Sequence, residues 1–128
     1  WQQILVGGFA TEEEINQMIY HTWKNTNYVL DPHTAVGVKV CTDYQREIDD
    51  KTPIVIASTA SPFKFAEVVY AAISGEQETD SIACLDKLAA KTGWQIPNGL
   101  QGLLQKPILH HTNIAKEAME QTVEKIIL

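Results

Sequence analysis

The sequence predicts an α/β fold, with helices packed on a small, mainly parallel sheet. Three observations carry that expectation. Pro53-Ile54-Val55-Ile56-Ala57 is a continuous apolar run, the pattern of a strand buried on both faces. It gives way to the small polar cluster Ser58-Thr59-Ala60-Ser61-Pro62 and then to a helical stripe of Phe65, Val68, Val69, Ala72 and Ile73. A separate helix is announced upstream by Thr11-Glu12-Glu13-Glu14, in which Thr11 can cap the first turn while Glu14 reaches back.

In chain order, Ile15, Met18, Ile19 and Trp23 recur at helical spacing, which places the first helix at about Glu12 to Lys24, with three acids at its positive end. Asn25-Thr26-Asn27 breaks it, and Tyr28-Val29-Leu30 reads as a short extended segment before Asp31-Pro32, where proline biases Asp31 toward extended geometry. The next stretch is ambiguous. Val36, Val38 and Val40 alternate like a strand, while Val36, Val40, Cys41 and Tyr44 share one helical face; helix, capped by Thr34, is the preferred reading. After the apolar run, Ser61 suits an N-cap and Pro62 a first helical residue, and Gly75 suits the stop. Gly75 through Asp80 reads as a loop, Ser81 to Lys91 as a helix with Ile82, Leu85 and Leu88 inward, and Gly93 through Pro107 as turn-rich. A last helix is expected from Thr112 or Asn113 to Leu128, with Ile114, Ala118, Val123 and Ile126 or Ile127 as its buried side. With no repeat, low-complexity tract or linker, residues 1–128 read as a single domain.

The 128 residues are 45% hydrophobic, enough for one ordinary core. A net charge of −6 without any basic run argues against nucleic-acid binding. The apolar stretches are too short to span a bilayer, and the start Trp1-Gln2-Gln3-Ile4-Leu5-Val6 lacks the basic region of a signal peptide. Cys41 and Cys84 are far apart and His110-His111 are adjacent, so neither a disulfide framework nor a metal site is expected. These features point to a cytoplasmic protein. The chain opens without an initiator methionine, which hints at a longer parent.

Two segments carry chemistry. The first is Leu30-Asp31-Pro32-His33-Thr34-Ala35-Val36-Gly37, and the second is Ser58-Thr59-Ala60-Ser61-Pro62-Phe63-Lys64-Phe65. In this order and separation they resemble the C-terminal portion of threonine synthase, a pyridoxal-phosphate enzyme of fold type II. There a D-P-H-T-A-V-G segment opens a helix and a later strand ends in T-A-H-P-x-K-F. Ser61 stands here where the family usually has histidine, so a role for that imidazole does not carry over.

The resemblance implies conversion of O-phospho-L-homoserine and water to L-threonine and phosphate. It implies a hydroxyl on the pyridine nitrogen at Thr59, with Ser58 as a second cofactor contact. Read from the residues alone, closing a turn is the preferred role for Thr59, and only the resemblance turns the reading toward the cofactor. Lys64 and Ser61, at a helix N-terminus, are candidates for a phosphate; the plain alternative is a surface lysine on a capped helix. His33 could move protons or simply hold a loop. The lysine that carries the cofactor and the Gly-rich loop that cradles its phosphate lie upstream in the family. No lysine here has an F-x-x-K context and Gly7-Gly8 is too short for such a loop, so no catalytic residue is assigned and the chain alone is expected to be inactive. Its expected partners are the substrate, the missing N-terminal part of the same enzyme, and a second copy through exposed apolar surface. Two other readings remain: an α/β binding or assembly module without catalysis, and a threonine-synthase-like phospho-lyase acting on a related phosphorylated amine.

Overall fold

The computed structural model describes residues 5–49 and 51–127, and they divide into two compact units, 5–98 and 99–127. Trp1–Ile4, and Leu128 at the expected end of the last helix, lie outside the described residues.

The first unit is built from four α-helices. Helix α1 spans Glu12–Thr26 and opens as expected: Glu14 N–H donates to Thr11 Oγ1 at 3.3 Å, and Thr11 N–H donates to Glu14 Oε2 at 2.8 Å. It ends at Asn27, whose φ of 58° is the left-handed conformation that asparagine tolerates. Helix α2 spans Pro32–Glu47 and resolves the ambiguous valines as helix. Its cap is Asp31 and not Thr34, because Asp31 Oδ1 accepts from the backbone amides of His33 and Thr34 at 3.0 and 3.4 Å. Pro32 at the first helical position needs no acceptor, so Asp-Pro is a stronger start than the threonine inside the first turn.

Helix α3, Ala66–Ser74, and helix α4, Ser81–Thr92, both end at glycines with positive φ, Gly75 and Gly93. Asp80 caps α4 by accepting from Ile82 and Ala83. Helix α1 packs on α2 and α3, and α3 packs on α4. Ile19, Val29, Leu30, Ala35, Val69, Cys84 and Leu88 make up much of the buried core.

The expected sheet is absent: no strand occurs among the described residues, so the α/β fold class with a parallel sheet is wrong for this chain. Residues 53–57 run as an irregular segment along α2, and Val55 is 96% exposed where burial on both faces was expected. An apolar run becomes a strand only if neighbours take its N–H and C=O groups. Here the segment is held by side chains instead. The Gln45 amide donates to the Thr52 carbonyl at 2.7 Å, and Ile56, half-buried, lies against Gly37 of α2.

A Cβ built at Gly37 would meet Ile56 Cγ2 at 3.4 Å, which is ordinary contact. Since glycine in a helix interior costs about 0.5–1 kcal/mol relative to alanine, Gly37→Ala should stabilise the chain by up to that amount, read as a raised thermal midpoint. Gly8 is tighter, because a Cβ there would come within 2.6 Å of Val40 Cγ1.

The helix expected to begin at Ser61 also starts later. Ser61 does cap, accepting from Phe63 N–H at 3.3 Å, but it caps a 3-10 turn, Pro62–Phe65, and α3 proper begins only after that turn.

In the second unit, 3-10 turns at Leu103–Gln105 and Lys116–Ala118 precede α5, Met119–Ile127. Neither Thr112 nor Asn113 caps that helix. The residues expected on its buried side, Ile114, Val123, Ile126 and Ile127, are exposed, because among the described residues this unit holds no second α-helix to cover them.

Candidate functional site

Asp31 joins the two segments, although the sequence reading placed it in the first segment without giving it a role of its own. It is 1% exposed, yet it gathers hydrogen bonds from the His33 and Thr34 amides, from the Thr34 hydroxyl, and from His33 Nδ1 at 3.1 Å. Burial pushes its carboxyl pKa up, but the hydrogen bonds from Thr34 and His33 outweigh burial and hold it below the ordinary aspartate value. Asp31 is therefore an ionised, acceptor-only group beneath the surface.

From this anchor the geometry runs outward along two branches. Thr34, itself buried, lies 3.1 Å from Ser58 Oγ through its hydroxyl, so the start of α2 is tied to a residue 24 positions further on. The His33 ring is turned toward Asp31 by Nδ1 and rests against Phe65, with ring centroids 4.9 Å apart. The two segments singled out in the sequence thus meet twice, at Thr34–Ser58 and at His33–Phe65. The signal that could have found Asp31 was present: an aspartate before proline at a helix start is a cap, and a cap whose own helix turn is buried must be buried with it.

Among the candidate residues, Ser58 and Thr59 are exposed at the end of the apolar run, Ser61 is half-buried, and Lys64 is exposed. The backbone amides expected to face a phosphate are engaged within the turn, Phe63 to Ser61 Oγ and Lys64 to the Ser61 carbonyl at 3.0 Å. Pro62 and Phe63 are buried and fix the turn from below.

A cleft of about 620 Å³ opens nearby, lined by Ile15, Pro32, Phe65, Glu67, Val68 and Glu78 among others. It shares Phe65 with the His33 contact but is not bordered by Ser58 or Thr59.

Electrostatics away from the site are structural. Glu14 has its pKa lowered to about 2, first by the Thr11 amide and then by hydrogen bonding to Lys39, whose Nζ lies 3.0 Å away and also pairs with Asp43. A carboxyl depressed from an ordinary 4.5 stabilises the fold above that pH and loses the contribution as pH falls toward about 2. Glu14→Gln, which keeps the capping geometry, should flatten the pH dependence of stability across that window, measured by thermal melts in acid series.

The first unit is helical and carries a hydroxyl-bearing segment braced, through Thr34, on a buried carboxylate. A family model described as threonine synthase, C-terminal, matches residues 34–127, and the chain belongs to that family. It is 41% identical over 73 residues to human threonine synthase-like 1, covering 56% of this chain and 9% of that protein. It is 41% identical over 72 residues to the threonine synthase of Corynebacterium glutamicum, covering 56% of this chain and 15% of that enzyme. With the Saccharomyces cerevisiae threonine synthase the figures are 41% over 71 residues, 55% and 14%. The chain therefore spans only 9–15% of the length of these relatives. No helix among the described residues is long and apolar enough to cross a membrane.

Proposed function

We propose that this chain is the C-terminal domain of a threonine synthase, in which it forms one wall of a pyridoxal-phosphate site completed by an N-terminal part of the same enzyme. The reaction is conversion of O-phospho-L-homoserine and water to L-threonine and phosphate. The observation that carries the reading is the Ser58–Thr59 pair: two exposed hydroxyl-bearing residues at the end of the apolar segment, the first tied to Thr34, inside the stretch that matches the family.

That turn suits the cofactor's ring. Pyridoxal phosphate, when bound, supplies an electron sink for negative charge developing on the substrate. Thr59 hydrogen-bonds the pyridine nitrogen through a neutral hydroxyl, which does not force protonation as a carboxylate would. Ser58 is the second cofactor contact. Lys64 supplies a cation for a phosphate group beside the half-buried Ser61, and His33, held by Asp31, is placed to exchange a proton with substrate. The lysine that carries the cofactor comes from the partner part, so the 128 residues alone do not turn over substrate. The proposal puts the enzyme in the cytoplasm, in keeping with its free Cys41 and Cys84. The apolar side chains exposed on α5, Ile126 and Ile127, are its candidates for self-association.

A second reading is kept because some of the similar proteins are named threonine synthase-like 1 and not threonine synthase. It is a phospho-lyase acting on a related phosphorylated amine. One assay separates the two. Full-length enzyme loaded with pyridoxal phosphate is given O-phosphohomoserine or phosphoethanolamine, and phosphate and amino-acid products are both measured. Threonine formed in step with phosphate supports the proposal, and phosphate released from phosphoethanolamine alone supports the second reading. No release from either leaves a binding module without catalysis.

A further inference from the structure

The segment that leads to Thr59 has no strand ladder to hold it among the described residues. Residues 53–57 are irregular, and Val55 is 96% exposed. What fixes the stretch is contact with α2. The Gln45 amide donates to the Thr52 carbonyl before it, Ile56 lies against Gly37 within it, and the Thr34 hydroxyl meets Ser58 Oγ at 3.1 Å after it. Apolar packing on a glycine is non-directional, so the hydrogen bond at Ser58 is the tie that sets orientation next to Thr59. Beyond Thr59 the chain is fixed again, by the Ser61 cap and by the buried Pro62 and Phe63. Thr59 lies between these two anchors, is exposed, and makes no hydrogen bond of its own among the described residues. Its direction is set by its neighbours.

The anchor at Ser58 is held in turn from below. Thr34 is buried in the first turn of α2, and its hydroxyl donates to the carboxylate of Asp31. Asp31 is 1% exposed and also takes the His33 and Thr34 backbone amides, so its own position is fixed by the helix it caps. A bond to a carboxylate is about twice as strong as one between neutral groups.

We propose that Thr34, held by Asp31, is a positioning residue for Thr59: through Ser58 it fixes the backbone from which the Thr59 hydroxyl is aimed. The inference rests on the reading that Thr59 meets the cofactor ring. Neither Thr34 nor Asp31 touches the ligand, since both are buried. Their effect is geometric, and a misplacement of about 1 Å at a reacting centre can cost on the order of a hundredfold in rate.

Thr34→Val removes the hydroxyl and keeps the size of the side chain. In full-length enzyme with pyridoxal phosphate, the absorption spectrum, the turnover of O-phosphohomoserine and the thermal midpoint are measured for the wild type, Thr34→Val, Thr59→Val and the double variant. Thr34→Val should lower turnover about tenfold and move the spectrum in the same direction as Thr59→Val does. The double variant should be no worse than Thr59→Val alone, because the hydroxyl that Thr34 positions is then gone. Thr34→Ser, which keeps the hydroxyl, should stay within about threefold of the wild type. If Thr34→Val does not fold, Thr34→Ala takes its place in the same cycle. A Thr34 variant that melts lower but keeps the wild-type spectrum and rate when folded overturns the inference alone, and so do Thr34 and Thr59 effects that add. A Thr59→Val enzyme with the spectrum and turnover of the wild type overturns the proposed cofactor contact and the inference with it.

Discussion

Asp31→Ala is expected to destabilise the protein by about 2–4 kcal/mol. Losing the cap of α2 costs about 1 kcal/mol. Losing the charge-assisted hydrogen bond from the Thr34 hydroxyl to the buried carboxylate costs about 1–3 kcal/mol more. The loss should be seen in urea unfolding as a lower midpoint with an unchanged slope. Acid should act in the same direction on the native protein. The Asp31 carboxyl has its pKa lowered in the fold, so its contribution is full above the ordinary aspartate value and is lost as pH falls through the folded value. The alanine variant should therefore lose less further stability than the wild type on acidification. A variant as stable as the wild type at neutral pH would mean that Asp31 is a replaceable surface cap.

Leu88→Ala is expected to cost about 2–5 kcal/mol, the range for deleting a fully buried leucine. Leu88 has no exposed surface and sits on α4, the helix packed against α3. Its loss leaves a cavity that the packed helices close only in part. Against a usual total of about 5–15 kcal/mol, that loss should lower the thermal midpoint by many degrees or prevent folding. Ile82, expected from the sequence on the same inward side, is only half-buried and should cost less when cut to alanine. Equal losses at both positions would contradict the depth assigned to Leu88.

Local grammar was legible in the sequence wherever the deciding groups were neighbours. The α1 capping box, the glycine stop at Gly75 and the helical reading of Val36–Val40 all depend on residues within a few positions of each other. The Pro53–Ala57 run misled because its pattern says that the segment wants burial and cannot say what will bury it. A strand needs a partner, and among the described residues Ile56 finds α2 while Val55 finds solvent. The amphipathic pattern of α5 failed in the same way. At the site, both segments were visible as strings of residues. Their link through Thr34 and Ser58 was not, because it joins positions 24 apart. Asp31 was passed over because its neighbours proline and histidine drew the chemical reading.

The central claim, that the hydroxyl turn after the apolar run touches the cofactor ring, has a direct measurement. The absorption spectrum of full-length enzyme with pyridoxal phosphate should change when Thr59 is replaced by aspartate, since a carboxylate would drive the pyridine nitrogen to its protonated form. Turnover should fall about tenfold or more, as expected when one matched hydrogen bond is replaced by a charge. An unchanged spectrum together with an unchanged rate in Thr59→Asp would contradict the account.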